Sequence, residues 1–365
     1  MQTRLILLVI SFVSMVVILT SASYLHAHRL EATLINYRQA NKEITQPQLK
    51  KEKISQNEGD ISLIAVGDIM LSRIVASKIK TNKDPYYPFL NTTDYLRDAD
   101  ITFGNLENPI TAGRAIEVHE MVFHADPGME KVLGDVGFDV LSLANNHSPN
   151  FGAKGLIDTF SYLDQVGVLH PGAGKTSKEA NSPVYITRKG KTFAFLAYND
   201  PDVVPKEYEA TEKRAGTAFM RSEKMIESVK EAKQKADFVI VSIHSGKEYT
   251  KIPNTSQTNF AHKAIDAGAE MVIGHHPHVI QSVEKYNGKY ILYSLGNFVF
   301  DQRWEETKLG LSAKIFFNEQ GVREISFFPI MIRDFSQPEI LKGEIATKTL
   351  ERLGEPFAQG SIIVQ

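Results

Sequence analysis

The first pattern along the chain is an uncharged run. Leu5 to Leu25 carries no charge, and its first part reads LILLVISFVSMVVIL. About 20 apolar residues cross the hydrocarbon core of a bilayer. Arg4 precedes the run, which favours an N-terminus inside and the rest of the chain outside. This pattern predicts one N-terminal transmembrane helix within residues 1–26 and a main domain outside the cell membrane. A cleaved export signal is the rival reading, because Ser21-Ala22-Ser23 places small residues near a cleavage point. The length of the run favours a retained anchor. Residues 27–60 are polar and rich in Lys, Glu, Gln and Asn, as in a juxtamembrane helix followed by a linker.

From residue 61 the chain turns to short apolar runs. Strands are predicted at Ile61–Val66, Asp139–Leu143, Thr192–Ala197, Phe238–Ile243, Glu270–Ile273 and Lys289–Tyr293. Runs this short and continuous suit strands buried on both faces. Helical stretches fall between them, at Ala153–Gln165, Arg221–Lys235 and Thr255–Ala267. Strands alternating with helices imply α/β architecture. Near the end, Leu311–Phe317 and Val322–Pro329 flank Asn318-Glu319-Gln320-Gly321, a turn, and predict a hairpin added to the sheet. The main domain is expected over residues 61–335, with 336–365 as a C-terminal extension.

Composition narrows the chemistry. The net charge of -2 argues against a broad nucleic-acid-binding surface. The absence of cysteine excludes disulfides, thiolate metal sites and cysteine nucleophiles. Eleven histidines remain, and four of them fall within Ala261–Ile280.

Polar clusters recur where the apolar runs stop. Gly67-Asp68, Gly104-Asn105-Leu106-Glu107-Asn108, Asn145-Asn146-His147, His244, Gly274-His275-His276-Pro277-His278 and Gly296-Asn297 each follow a predicted strand. Ligands of open α/β sheets bind beyond the carboxyl ends of the strands, so clusters distant in sequence can meet at one edge. Imidazole, carboxylate and amide oxygen together suit divalent Mn, Zn or Fe. Two such ions could clamp attacking and leaving oxygens and activate a water. No phosphate loop of the P-loop form and no Gly-x-Ser-x-Gly elbow competes with this reading. Each cluster has an ordinary alternative. Asp68 could cap a helix, Asn105, Asn146 and Asn297 could be turn residues, His244 a satisfied core histidine, and Glu248 a first-turn carboxylate. Three imidazoles in four positions, at His275, His276 and His278, are harder to explain by structure alone. His119, His124, His170 and His262 lack such neighbours and read mostly as structural or surface residues.

Taken in order, these motifs resemble the capsule-biosynthesis CapA/PgsA family. The likeness rests on VGDIMLSR at Val66–Arg73, GNLENP at Gly104–Pro109, Ala144-Asn145-Asn146-His147, Gly172-Ala173-Gly174, GHHPHV at Gly274–Val279 and SLGNFVFDQ at Ser294–Gln302. It spans about residues 61 to 302 and includes the N-terminal anchor. It implies a metallophosphatase-like fold of two packed sheets flanked by helices. It also implies a ligand set: Asp68, then Asn105 or Glu107, then Asn146 and His147, then His244, then His276 and His278. His275 is left as a neighbour or a substrate contact. Met70 stands where the phosphatase pattern has the histidine of its Asp-x-His first motif, Asn150 where the family has Asp, Ser245 where it has Trp, and Ser72 where it has Gly.

Three functions are compatible with this sequence. The resemblance implies a membrane component of poly-γ-glutamate synthesis and export, with membrane synthetase subunits as partners and a metal site facing the emerging polyanion. The second is an exported metal-dependent hydrolase of phosphoester or amide bonds, with His147, His244 or His275 as general acid. The third is a non-enzymatic scaffold whose reduced metal site supports the fold.

Overall fold

The computed structural model describes residues 59–117 and 119–363. The expected anchor over 1–26 and nearly all of the linker over 27–60 lie outside the described residues. Among the described residues no helix is long and apolar enough to cross a membrane.

The apolar runs become two mixed sheets. In the first, strand β1 (Ile61–Ile69) lies parallel to β2 (Ile101–Leu106), which lies parallel to β3 (Val140–Ser142). A two-residue strand β4 (Ala173–Gly174) follows and belongs to a separate small ladder. The second sheet begins with β5 (Val184–Arg188) and β6 (Lys191–Asn199), an antiparallel hairpin. After β7 (Gly216–Thr217), the partner of β4, it continues with β8 (Phe238–His244) and β9 (Met271–His275). It ends with β10 (Val283–Tyr286) and β11 (Lys289–Leu292), and its order is β10-β11-β9-β8-β6-β5. The first sheet is completed by β12 (Asn297–Val299), β13 (Leu309–Asn318), β14 (Gly321–Arg333), β15 (Gln337–Ile340) and β16 (Ser361–Ile363). The expected hairpin is β13–β14, with β13 antiparallel to β1.

Alternation along β1 explains the layering. Ile61, Leu63 and Ala65 face Phe193, Phe195, Ile240 and Ile273 of the second sheet, forming a core between the sheets. Ile64 and Val66 face the opposite way, toward Val75, Leu133 and Leu156 of the helices Arg73–Asn82, Met129–Asp135 and Gly152–Gln165. The second sheet is covered by Ser222–Lys233 and Thr255–Ala267 through Met225, Val229, Phe260 and Ala264. The layers are therefore helices, sheet, sheet, helices. The stretch after residue 335 is integral to this body: β15 and β16 pair with β14, and Leu353 and Phe357 join the inter-sheet core.

The clusters at Asp68, Asn105–Glu107, Asn145–His147, His244 and His275–His278 lie at or just past the carboxyl ends of parallel strands, and Gly296-Asn297 opens β12 beside Asp68. The edge is shared by both sheets, so the clusters meet across the gap between them.

Candidate metal centre

Register builds the site. Asp68 on β1 pairs with Asn105 on β2 and with Asn297 on β12, and His244 on β8 pairs with His275 on β9. Gly67 makes the crossing of β1 and β12 close enough. A Cβ there would lie 2.1 Å from the Gly296 carbonyl oxygen. Four site residues hold left-handed backbone without being glycine: Arg73, Tyr249, His276 and His278, at φ 49°, 61°, 97° and 56°. Such strain concentrates where the surrounding structure imposes a functional geometry.

Two donor groups result. Asp68, Glu107 and His244 each place one donor atom within 4.8 Å of the others, and Glu248, His276 and His278 do the same. Asn146 joins them, its Oδ1 lying 2.9 Å from His244 Nε2, which is 3.1 Å from His276 Nδ1. His278 Nε2 stands 3.7 Å from Glu107 Oε1 and its Nδ1 3.4 Å from Asp68 Oδ2, which ties the groups into one cluster. Neither Asp68 nor Glu107 is exposed to solvent, and Glu107 Oε1 has no hydrogen-bond partner. A buried carboxylate oxygen without a donor is costly unless a cation answers it. The donor set therefore fits a divalent cation bound by nitrogen and oxygen.

Electrostatics point the same way. Burial, then the charges of Asp68 and Glu248, push the Glu107 carboxyl well above its usual range. Burial would also raise Asp68, but the hydrogen bond and charge of His278 outweigh it and hold Asp68 below the usual carboxylate value. Burial lowers His276 to about 3 and His147 to about 4, and drives His244 well below the ordinary imidazole value. These rings are neutral at physiological pH, the form that binds metals. His278 is the exception. Burial lowers it, yet hydrogen bonding and charge from Asp68 leave it raised.

Neighbours fix which ring nitrogen is free. The Phe123 N–H donates to Asn150 Oδ1 at 2.8 Å, so that oxygen is an acceptor. His147 Nδ1, 2.9 Å from it, must donate, leaving Nε2 unprotonated. Asn150 thus performs, without charge, the orienting task expected of Asp. Asn297 Nδ2 donates to the Thr307 carbonyl at 2.8 Å, so its Oδ1 accepts from His278 Nδ1 at 2.9 Å and leaves His278 Nε2 free.

Two expected residues take other roles. Asn105 does not present an oxygen. Asn145 donates to Asn105 Oδ1 at 3.0 Å, which turns the Asn105 amide N–H toward Asp68 Oδ1 at 2.8 Å. Its amide thus holds the Asp68 carboxylate in place. His275 is not brought into the site. It follows the strand alternation into the inter-sheet space, stacks near Phe103 at 6.0 Å, and engages the Val66 carbonyl at 3.2 Å and Ser242 Oγ at 3.4 Å. It has no route to a substrate, so its proposed acid role falls. Met70 offers no replacement ligand, being buried in the outer apolar cluster. Glu248, in contrast, which the sequence offered only as a first-turn carboxylate, places a donor atom beside His276 and His278.

The cluster opens into a cavity of about 360 Å³. Arg73 lines it with both Nε and Nη2 held by Asp301, and its guanidinium lies over Phe123 at 4.5 Å. His147 stacks on the same Phe123 ring, the centroids 4.0 Å apart. Of the remaining histidines, His124 is buried between the carbonyls of Thr111 and Arg114, and His170 and His262 pair with Asp164 and Glu284. These three are structural, as expected, whereas exposed His119 stands on the cavity rim.

Residues 62–302 match the family model described as bacterial capsule synthesis protein PGA_cap. The chain belongs to this family. It is 35% identical to the PGA biosynthesis protein CapA of Bacillus subtilis (strain 168), across 80% of this chain and 77% of that protein. It is 31% identical to the capsule biosynthesis protein CapA of Bacillus anthracis, across 85% of this chain and 76% of that one. Among solved structures, the calcineurin-like phosphoesterase YfkN from Bacillus subtilis aligns over 82% of this chain and 98% of its own, at a TM-score of 0.43 and 14% identity.

Proposed function

We propose that this chain is an extracytoplasmic, membrane-anchored component of capsule synthesis and export that engages poly-γ-glutamate, or a related anionic polymer, through a divalent-metal centre. The names of its relatives supply the polymer, and family membership supplies the pathway. The observation that carries the mechanism is the orphaned, fully buried Glu107 carboxylate beside Asp68, in a cluster with His244, His276 and His278. Asp68, Glu107, His244, Glu248, His276 and His278 would hold the ion, with Asn146 beside them. Its identity falls among Mn, Zn and Fe, since no thiolate is present. Such an ion, when bound, polarises carboxyl or carbonyl oxygen and lowers the pKa of bound water. The two-sheet frame with donors at strand ends resembles that of a calcineurin-type metallophosphatase.

The chain's own residues divide the remaining work. Arg73, clamped by Asp301, keeps a positive charge on the cavity wall. His147, on the cavity wall, holds its proton at Nδ1 and leaves Nε2 unprotonated, able to take a proton. The anchor over 1–26 would keep the centre outside the cell membrane, near membrane synthetase subunits and the exit of the growing chain.

A second reading, an exported metal-dependent hydrolase, is favoured by that free His147 Nε2 at a solvent-accessible cavity. A third, a scaffold with a reduced site, is favoured by Met70. One experiment separates them. The full chain and its His276→Ala and His147→Gln variants are returned to a capsule-forming host lacking its own copy. Polymer yield and length are measured, along with metal content of the purified protein. Loss of metal and of polymer together in His276→Ala supports the proposal. Longer polymer in His147→Gln favours the hydrolase, and unchanged capsule from metal-free protein leaves only the scaffold.

A further inference from the structure

We propose that Trp304, Tyr249 and Arg303 form a second subsite, where the units of an anionic, amide-linked chain lie next to the unit held at the metal centre. This inference rests on the polymer reading above and adds the residues that would recognise its length.

The observation is an aromatic ladder leading out of the centre. The Tyr249 ring lies 6.2 Å from the His278 ring at 32°, and Trp304 packs edge-on to Tyr249 at 4.8 Å and 77°. Trp304 is nevertheless 62% exposed, and it is the one tryptophan of the chain. Exposing a tryptophan leaves a large apolar face wet without return unless something covers it. Tyr249 is held in place against backbone strain. Its φ is 61°, its N–H donates to the Pro277 carbonyl at 2.8 Å, and Gln302 Nε2 reaches its hydroxyl at 3.5 Å. Glycine at 246, with φ 112°, lets the loop turn back to bring Tyr249 there, since a Cβ would meet Gln257 at 2.6 Å.

Charge selects the ligand. Arg303 lines the same mouth, is exposed, and has no ion-pair partner among the described residues. A polyamide with a carboxylate on each unit offers both complements: flat amide groups for the aromatic faces and carboxylates for a free guanidinium. The two ladder steps fall within the reach of about two or three extended units. A membrane surface would meet the exposed tryptophan too. It would not explain a ladder that runs inward to His278 or an unpaired arginine at the mouth of the cavity.

The single tryptophan makes the test direct, because all indole emission comes from Trp304. The metal-loaded full chain in neutral detergent is titrated with γ-linked glutamate chains of increasing length and with free glutamate. Binding is followed in parallel by calorimetry. We expect a saturable emission change with chains of several units and none with free glutamate. Arg303→Glu should weaken chain binding about fivefold, while Arg303→Lys stays within about twofold. Trp304→Ala should weaken it about fivefold with an unchanged circular-dichroism melt. Chain binding seen by calorimetry, with emission unmoved and Arg303→Glu unaffected, overturns the subsite and leaves the polymer reading intact. No calorimetric binding overturns both. An emission shift on reconstitution into phosphatidylcholine vesicles, with no further response to polymer, overturns it in favour of a membrane contact.

Discussion

Glu107→Gln keeps the shape of the side chain and removes its charge. In the metal-free protein that carboxylate is fully buried, Oε1 has no partner, and Asp68 and Glu248 oppose its ionisation. Folding with that carboxyl held well above its unfolded value costs stability at neutral pH, a penalty of about 1–3 kcal/mol that the amide does not carry. The described body spans residues 59–363. For a body of roughly 300 residues, an unfolding entropy near 2 cal/mol/K per residue converts 1 kcal/mol to about 1.6 °C. The variant should therefore melt about 2–5 °C above the metal-free parent.

With metal the order reverses. An ion at a hundred times its Kd stabilises the parent by about 2.7 kcal/mol, or about 4 °C. If the loss of one carboxylate ligand weakens binding about a hundredfold, the same ion concentration shifts the variant by less than about 1 °C. Scanning calorimetry on chelator-stripped full chain, repeated at fixed free Mn or Zn, reads both numbers. Metal analysis of the same samples gives the stoichiometry. A variant less stable than its parent without metal, yet shifted equally by it, would mean that Glu107 is an ordinary hydrogen-bonding residue. The metal centre would then lose its strongest support.

Other expected outcomes follow from the same geometry. His275→Ala should cost about 2–4 kcal/mol of stability but leave metal content per folded molecule unchanged, whereas His276→Ala should do the opposite, as melts and metal analysis together would register. Gly67→Ala should cost more than about 3 kcal/mol or prevent folding, because its Cβ meets the Gly296 carbonyl at 2.1 Å, while Gly59→Ala, with nothing within 4 Å, should melt normally. Asp100 is held below its ordinary value: burial would raise it, but the Ser62 N–H and Lys189 at 2.9 Å prevail. A depressed carboxylate stabilises above its unfolded value of 3.8 and loses that contribution as pH falls through the folded value, so parent and Asp100→Asn should differ at pH 7 and converge in acid denaturation curves below that value.

Strands and helices were legible because their apolar runs matched simple periods, and the bounds differ by a few residues: Asp139–Leu143 shortens to Val140–Ser142, whereas other strands extend at their carboxyl ends. Ile61–Val66 continues to Ile69, and Phe238–Ile243 to His244. Those added residues are polar or functional, so an apolar pattern stops before them. The three imidazoles near Gly274 could not be sorted by pattern for a related reason. Strand alternation holds through His275, which points inward two positions after Ile273. It ends at His276, whose φ of 97° turns the chain, and His278 follows at 56°. No period predicts where side chains point once the backbone is left-handed. Asn105 was misread because an amide has a donor face and an acceptor face. The choice was made by Asn145, itself fixed by the N–H groups of His147 and Ser148 donating to its Oδ1.

Met70 and Glu248 are best understood together. The sequence shows a missing histidine in the first motif, which reads as a lost ligand. In the fold that position is no gap. Met70 is fully buried among Val66, Leu71 and Phe298, and its sulfur accepts the Ser72 N–H at 3.1 Å. A polar ring there would displace core packing before it met any ion. Glu248 reaches the cluster from the loop after β8, on the opposite sheet, and stands with His276 and His278. The first sheet alone therefore shows only two of the cluster's carboxylates, Asp68 and Glu107. Asp68, Glu107 and Glu248 together bring three carboxylates to the cluster, enough to balance the charge of a divalent ion even with one of them protonated. That balance favours a working centre over a vestigial one, and it rests on a loop whose return depends on Gly246 and Tyr249.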